Sequence, residues 1–154
     1  MRDGDLQTAA APLDLLGVNY YQHGVVSAEH PLDLSGGSAP HPLDPEAERT
    51  GLGFAVRPDA LESLLLRLHR DYDFPELWVT ENGAVYPDTA STDGVVEDLD
   101  RLSFLRRHLE VGARCIAAGV PLTGWLVWSL LDNLEWDLGF GPRFGLASRD
   151  PVTR

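Results

Sequence analysis

The sequence predicts an α/β fold in which strands alternate with helices along one chain. Three short segments are predicted strands, at residues 15–21, 77–83 and 122–131. The first and third are nearly continuous apolar runs and the second opens with Leu77-Trp78-Val79, as is typical of strands buried on both faces. A segment with leucines at one-face helical spacing lies between each run and the next. Because strands connected through helices are almost always parallel and right-handed, we expect parallel strand–helix units.

The two predicted helices have clear boundaries. The first begins near Pro58, which suits an opening helical turn, and ends before Phe74-Pro75. The second spans about 97–118, with Gly119 at the position of a C-cap. The leucines expected to face the core are Leu61, Leu64, Leu65 and Leu68 in the first helix, and Leu99, Leu102, Leu105 and Leu109 in the second.

Two segments predict long loops. Residues 22–57 are rich in Gly, Pro, His and Ser, and residues 132–151 contain glycines without a helical period. Loops of this length are uncommon inside a domain and are often functional. The second loop directly follows the third strand, so we expect it to carry part of a site.

The charge balance argues against nucleic acid and against anionic membranes as partners. The chain has 24 acidic and 12 basic residues, all of the latter arginine, for a net charge of −12. Such a surface is compatible with a neutral ligand such as a sugar. The most apolar run, 122–131, is about half the length of a membrane-spanning helix.

Cysteine and histidine usage predicts neither a disulfide nor a metal site. Cys115 has no second cysteine to pair with and is expected as a small core residue. The histidines show no metal-ligand spacing, so we expect most of them at the surface and no metal or cofactor. The N-terminus lacks a signal-peptide pattern, which together with the single cysteine favours a cytoplasmic location.

Polar side chains stand at the end of each predicted strand: Asn19, Glu81, and the group Asp132, Asn133 and Glu135. In parallel α/β folds, ligands bind at this edge of the sheet. Glu81 directly follows the apolar run and a threonine. Position alone leaves two interpretations open, a simple strand-to-loop transition or a carboxylate that performs chemistry.

Three motifs, in this order, resemble the family 1 glycoside hydrolases of the β-glucosidase type. They are LDLLGVNYY at 13–21, LWVTENG at 77–83 and WLVWSLLDNLEWDLGFGPRFGL at 125–146, and the resemblance runs from about residue 3 to 151. It implies a partial (β/α)8 TIM barrel comprising the last three strand–helix units. Residues 1–154 would then be the C-terminal segment of a hydrolase of β-D-glucosides that retains anomeric configuration.

The resemblance also implies roles for the residues around the predicted nucleophile. Glu81, in the TENG motif, matches the nucleophile, and Tyr21 matches the tyrosine that hydrogen-bonds and orients it, with Asn19 close by. A retaining glycosidase needs an ionised carboxylate at the anomeric carbon. A tyrosine hydroxyl can hold that carboxylate in one rotamer and oppose its protonation.

The sugar-binding residues implied by the resemblance lie after the third strand. Trp128 matches the aromatic floor beneath the sugar ring, Glu135 matches a carboxylate that grips sugar hydroxyls, and Trp136 stands beside it. Phe144 matches an aromatic residue of the same pocket. The substrate expected from these residues is a β-glucoside or an oligosaccharide.

The general acid/base motif of the family, Asn-Glu-Pro, does not occur in this sequence. A complete barrel has eight strands and typically about 250 residues. A second hypothesis therefore stays open, a truncated, inactive fragment that at most binds sugar or assembles with other chains. The expected protein partner is the missing N-terminal barrel half, or a further copy of the same chain.

Overall fold

Three parallel strands form one sheet, and two long helices cover one of its faces. The structure is a computed structural model that describes residues 2–24, 45–87 and 94–148. Its elements in chain order are α1 (Asp5–Ala9), β1 (Leu16–Asn19), α2 (Pro58–Asp71), β2 (Leu77–Asn82), α3 (Leu99–Ala117) and β3 (Leu122–Val127). The strand order is β1-β2-β3 with both pairs parallel, so the predicted alternation and the parallel sheet are confirmed.

The core lies between the sheet and the two long helices. Val18, Leu77 and Val79 point to this side and are buried. They pack with Leu61 and Leu65 of α2, both with no exposed surface. Each such side chain contributes about 1.5–3 kcal/mol on burial, which makes this layer the main source of stability.

The leucine pattern of α2 is confirmed, because its other two leucines are partly buried against the same core. The pattern predicted for α3 is wrong. The buried residues of α3 are Arg101, Phe104, His108, Val111, Gly112 and Cys115. Leu99 and Leu102 are instead 66% and 62% exposed, Leu109 is also exposed, and Leu105 is only partly buried.

A close approach explains which side of α3 faces the sheet. A Cβ atom on Gly112 would lie 3.1 Å from the indole of Trp125 in β3, so this glycine lets the helix sit tightly on the strand. Cys115 is buried on the same side, as expected. His108 is fully buried there too, so its expected surface position is wrong.

Two strands are shorter than predicted, since β1 ends at Asn19 and β3 ends at Val127. After Trp128, which still bonds to Asn82 of β2, the chain pairs with the segment 144–147 instead. Leu146 donates its N–H to the carbonyl of Ser129, and Ala147 donates to Leu130. The apolar residues up to 131 therefore form a loop pairing rather than an extension of the sheet.

The short helix α1 was not expected from the sequence. Of the predicted loop 22–57, residues 25–44 lie outside the described part, as do residues 149–151 of the second loop. The described part of the second loop is irregular, with isolated bridges at Leu131–Ala147 and Glu135–Gly139. Within the described ranges, no helix combines the length and hydropathy required to cross a bilayer.

Candidate active site

The predicted site residues gather at the carboxyl end of the sheet. Glu81 is the penultimate residue of β2, and Asn19, the last residue of β1, pairs with it in the parallel register. Trp128 directly follows β3. Parallel strands present their carboxyl ends at one edge, which is why residues far apart in sequence meet here.

Tyr21 and Glu81 form the central contact of the site. The Tyr21 hydroxyl donates a hydrogen bond of 2.6 Å to Oε2 of Glu81, a length typical of a hydroxyl bonded to an ionised carboxylate. Burial raises the pKa of Tyr21 far above its usual range, and the hydrogen bond to Glu81 raises it further. The negative charges of Glu81 and Glu135 act in the same direction. Tyr21 therefore stays protonated at neutral pH and serves as a donor rather than a base.

The backbone around Glu81 is tied to β1. Tyr20 donates its N–H to the carbonyl of Glu81 at 2.8 Å. The neighbouring residue Asn82 is fully buried, and its Nδ2 donates a hydrogen bond to the carbonyl of Tyr20 at 2.9 Å. On the other face, the Thr80 hydroxyl donates to Oδ1 of Asn19 at 2.7 Å. Residues on both sides of the carboxylate are thus fixed, which limits its movement.

The glycine of the TENG motif allows β2 and β3 to approach each other. A Cβ atom on Gly83 would lie 1.8 Å from the carbonyl oxygen of Trp128, a contact that no side chain tolerates. Trp128 also donates its N–H to the carbonyl of Asn82 at 3.0 Å. The backbone of Trp128, a residue that is 36% exposed, is thereby held beside the strand end that bears the nucleophile candidate.

Glu135 is held in the loop after β3 by both its backbone and its side chain. Its N–H donates to the carbonyl of Gly139 at 2.7 Å, and the N–H of Gly139 donates back at 2.6 Å. Gly139 adopts a φ of 65°, which favours glycine. The side-chain amide of Asn133 donates to Oε1 of Glu135 at 2.9 Å.

Phe144 links this loop to the tyrosine. Its ring is buried and meets the ring of Tyr21 edge to face, with centroids 6.0 Å apart and planes at 78°. Such aromatic pairs contribute about 0.5–1.5 kcal/mol beyond their burial. Phe144 therefore packs against the tyrosine whose hydroxyl is hydrogen-bonded to Glu81.

Arg101 is a supporting residue that the sequence reasoning missed. This buried side chain of α3 donates to the carbonyl of Ala84 at 3.3 Å and to the carbonyl of Arg143 at 2.9 Å. It thereby joins the loop after β2 to the loop after β3. An arginine at a core-facing position of α3 was the available signal, but the leucine pattern placed that face elsewhere.

Asp132, one of the polar residues at the strand ends, has a structural role in the same region. Its carboxylate accepts a hydrogen bond from Arg143 at 3.1 Å and one from the backbone N–H of Gly145 at 2.9 Å. A Cβ atom on Gly145 would lie 2.5 Å from the backbone nitrogen of Asp132, so the loop closes tightly here. These contacts fix the path of the chain on either side of Phe144.

The predicted residues differ in how closely they cluster. Tyr21, Glu81 and Phe144 are in a connected set, and Glu135 lies near enough for its charge to act on Tyr21. Trp136 is 95% exposed, so it packs on little else in the described chain. No group of three or more His, Cys, Asp or Glu side chains suited to a metal ion occurs within residues 2–24, 45–87 and 94–148.

Comparison with known proteins identifies the family. The family model "Glycosyl hydrolase family 1" matches residues 1–152. A bifunctional β-D-glucosidase/β-D-fucosidase of Bifidobacterium breve is 40% identical over 96% of this chain and 35% of its own length. The β-glucosidase A of Thermotoga maritima is 33% identical over 97% of this chain and 33% of its own length.

Solved structures give the same result for the fold. A β-glucosidase from Thermotoga maritima in complex with noeuromycin has a TM-score of 0.84 at 33% identity, over 97% of this chain and 33% of that chain. The same enzyme in complex with glucoimidazole also gives 0.84, at 32% identity. The chain thus spans about a third of the length of the relatives that it matches. Since the family model covers nearly the whole chain, the chain belongs to glycosyl hydrolase family 1.

Proposed function

We propose that this chain contributes the nucleophile side of a retaining β-glucosidase active site, as the last three strand–helix units of a (β/α)8 barrel. The observation that carries the proposal is the 2.6 Å hydrogen bond from Tyr21 to Glu81 at the carboxyl end of three parallel strands. The relatives named as β-glucosidases support the substrate class, β-D-glucosides or oligosaccharides that contain them.

Glu81 acts as the nucleophile in this mechanism. One carboxylate oxygen forms a bond to the anomeric carbon while the bond to the leaving oxygen breaks, and a covalent glycosyl-enzyme results. The Tyr21 hydroxyl holds Oε2 in place and, because it stays protonated, favours the ionised carboxylate before attack. Water then releases the sugar with retention of configuration.

A second carboxylic acid must protonate the leaving oxygen and later activate the water. In retaining enzymes it lies about 5–5.5 Å from the nucleophile. Glu135 is the carboxylate near the Tyr21–Glu81 pair, but Asn133 occupies one of its oxygens, and we assign it to sugar binding. We place the acid/base residue outside these 154 residues, in the part of the barrel that the longer relatives contain.

The sugar ring has apolar C–H faces and a polar edge. Trp128 offers an indole plane for one face, and Glu135 offers acceptor oxygens for two hydroxyl groups. We assign Phe144 and Asn19 to the wall of the same pocket, and Trp136, which is 95% exposed, to its outer side. Two carboxylates and water suffice for this chemistry, so the mechanism calls for no cofactor.

A second candidate function is a sugar-binding or assembly piece without turnover. It is favoured by the three-stranded sheet and by the lack of an Asn-Glu-Pro motif in the sequence. General acid catalysis is typically worth about 10²–10⁴-fold, so the chain alone should hydrolyse β-glucosides barely or not at all. Ordinary turnover by the purified chain would contradict this expectation.

Covalent labelling tests the nucleophile directly. The chain is completed with the N-terminal two thirds of the Thermotoga maritima relative and treated with a 2-deoxy-2-fluoro-β-D-glucoside, which traps the glycosyl-enzyme. We expect the label on the peptide that contains Glu81. A label on Glu135 would overturn the assignment.

Two substitutions in the completed enzyme separate the roles of nucleophile and orienting residue. Glu81→Gln keeps the shape but removes the attacking charge, and we expect activity to fall on the order of 10⁴-fold or more. Tyr21→Phe removes one hydrogen bond to a charged group, and we expect a loss of about 10–100-fold. The activity that remains in Glu81→Gln protein, purified in the same way, gives an upper limit for contamination by a host glucosidase.

A further inference from the structure

A short run of polar contacts in the loop after β3 ends at the carboxylate of Glu135. Nδ2 of Asn133 donates to Oε1 of Glu135 at 2.9 Å. Oδ1 of the same amide lies 3.2 Å from the hydroxyl oxygen of Ser129, which in turn lies 2.7 Å from the carbonyl of Leu131. The side chains of Ser129, Asn133 and Glu135 are partly buried, so the amide of Asn133 is partly shielded from solvent.

The chemistry of the carboxylate fixes the orientation of the Asn133 amide. An ionised carboxylate only accepts hydrogen bonds, so the NH₂ group of Asn133 must be the atom that faces Glu135. A reversed amide would place two acceptor oxygens in contact. The hydroxyl of Ser129 has a single proton, whose nearer acceptor is the carbonyl of Leu131 at 2.7 Å and whose more distant one is Oδ1 of Asn133 at 3.2 Å. The orientation of the Asn133 amide therefore rests on its contact with Glu135.

The backbone of Glu135 is fixed independently of this contact. The paired hydrogen bonds with Gly139 hold both its N–H and its carbonyl, so only the side-chain torsions remain to be set. Asn133, two residues earlier, sets them by engaging Oε1. A carboxylate offers about four lone-pair sites, so one donor leaves enough acceptors for two sugar hydroxyls.

We propose that Asn133 is a positioning residue for sugar recognition, which holds the Glu135 carboxylate in the rotamer that receives the hydroxyl groups of the substrate. This inference rests on the proposed function, because it assigns Glu135 to the sugar. Asn133 does not touch the reacting atoms. Its effect is preorganisation, since a carboxylate already held in place does not lose rotamer freedom when the sugar binds.

A purely structural role for Asn133 makes a different prediction. If the amide only stabilised the loop, its loss would lower activity on every substrate by the same factor. If it positions Glu135, its loss should affect only those substrates whose hydroxyl groups Glu135 binds. The two roles are therefore separated by the identity of the substrate.

The experiment measures kcat/KM of the completed enzyme with p-nitrophenyl β-D-glucoside and with glucosides that each lack one hydroxyl group. Glu135→Gln first identifies the hydroxyls that this carboxylate binds, as the positions where its effect disappears. Asn133→Ala should then lower kcat/KM for the full glucoside about tenfold, the usual size of a hydrogen bond to a charged group. For the sugar lacking the relevant hydroxyl, the loss should be under about twofold.

Asn133→Asp is the second variant, chosen because it keeps the size of the side chain. It places another carboxylate against Glu135 and should be at least as damaging as Asn133→Ala, again selectively for the same hydroxyls. It also keeps the test valid if the alanine variant does not fold. Thermal melting of each variant checks folding separately from activity.

The outcomes separate this inference from the proposed function. A uniform loss across all sugars, or no loss on any of them, overturns the positioning role of Asn133 while the nucleophile assignment stands. Wild-type completed enzyme without β-glucosidase activity, or full activity in Glu81→Gln, overturns the proposed function and the inference with it. Selective loss, shared by Asn133→Ala and Asn133→Asp, supports both.

Discussion

The two faces of the three-stranded sheet differ in every property that matters for function. On the helix-covered face, Val18, Leu77 and Val79 are buried in a continuous apolar layer. On the opposite face, Thr80 is polar and partly exposed, and Leu126 is 51% exposed. Strand side chains alternate between faces, so one strand supplies both environments.

The residues that stabilise the fold and the candidate site residues occupy different parts of the same strands, since Asn19 and Glu81 follow the buried Val18 and Val79 at the strand ends. The covered face holds the helices in place and carries no titratable group of the site. The open face and the strand ends carry Asn19 and Glu81, whose neighbours fix them through hydrogen bonds rather than through a packed core. Further polypeptide must pack on the open face before a site that excludes water can form.

The largest predicted effect concerns this open face. If a few hundred Å² of apolar surface stays exposed to water, the chain lacks several kcal/mol of folding free energy, at about 25 cal/mol per Å². That is comparable to the roughly 5–15 kcal/mol that stabilises a whole domain. The outer strands β1 and β3 also carry no charged side chain to discourage pairing with other chains. We therefore expect the isolated chain to be self-associated or to bind hydrophobic dyes.

Analytical ultracentrifugation and thermal melting measure this state. Addition of the N-terminal two thirds of a family 1 barrel should make the chain compact and suppress dye binding. A sharp, cooperative melt from a clean monomer, without any partner, would show that the open face is tolerated by itself.

A second prediction uses two leucines on opposite sides of the helical layer. Leu65 of α2 has no exposed surface, whereas Leu102 of α3 is 62% exposed. Leu65→Ala should lower the free energy of unfolding by about 2–5 kcal/mol, because a cavity forms in the core. Leu102→Ala should change it by less than about 0.5 kcal/mol.

Urea denaturation of both variants gives the two values, with each variant assembled with the N-terminal two thirds of a family 1 barrel and at one fixed protein concentration. Equal losses would mean that α3 presents its leucines to the core after all, as the leucine spacing alone predicts. The pair thus tests the one helix orientation that the sequence reasoning placed wrongly.

The elements that could be predicted are those whose signals are local. The apolar run before Glu81, the proline at the start of α2 and the glycine after α3 each determine structure within a few residues. The orientation of α3 could not be predicted, since Leu99 and Leu102 share one helical face while Phe104 and Val111 share another. Both sets have helical spacing, and only contact with the sheet chooses between them.

The roles of the site residues stay predictions, but the sequence did name residues that the structure places close together. The TENG motif and the resemblance named Glu81, Tyr21 and Phe144, and the structure brings these three together. Arg101 was missed, because the leucine pattern placed the core-facing side of α3 elsewhere and because its partners are carbonyl groups from two separate loops. The end of β3 was likewise set by a pairing with residues 144–147 that strand propensity does not encode.

His108 is fully buried in the covered layer and should make the stability of the chain depend on pH. Its ring lies 4.0 Å from the ring of Phe104 and 6.0 Å from that of Tyr20, measured between centroids. Nδ1 is 2.7 Å from the carbonyl of Phe104, to which it donates when it carries the proton. Nε2 is buried and has no hydrogen-bond partner among the described residues.

Burial lowers the pKa of His108 from 6.5 to about 4, although the hydrogen bond to the Phe104 carbonyl acts in the opposite direction. Of the nearby charges, Arg107 lowers the pKa of the imidazole further and Glu48 raises it. The folded chain therefore favours the neutral imidazole over the charged imidazolium. Above the unfolded pKa of about 6.5 both states are neutral, and the full stability is present.

Stability should fall as the pH drops from about 6.5 to about 4, because His108 binds a proton in the unfolded chain but stays neutral in the folded chain. The loss of unfolding free energy that His108 causes reaches at most about 3 kcal/mol at the low-pH end of this window. His108→Leu should flatten that part of the profile of unfolding free energy against pH. His69→Gln, at an exposed position of α2, is the matched control and should leave the profile of the wild type in place. Since all three proteins carry the same carboxylates and are assembled with the same N-terminal barrel part, the difference between their urea profiles isolates His108. Parallel profiles for wild type and His108→Leu would mean that the ring charges without opening the core, so that the covered layer is less closed to water than its packing indicates.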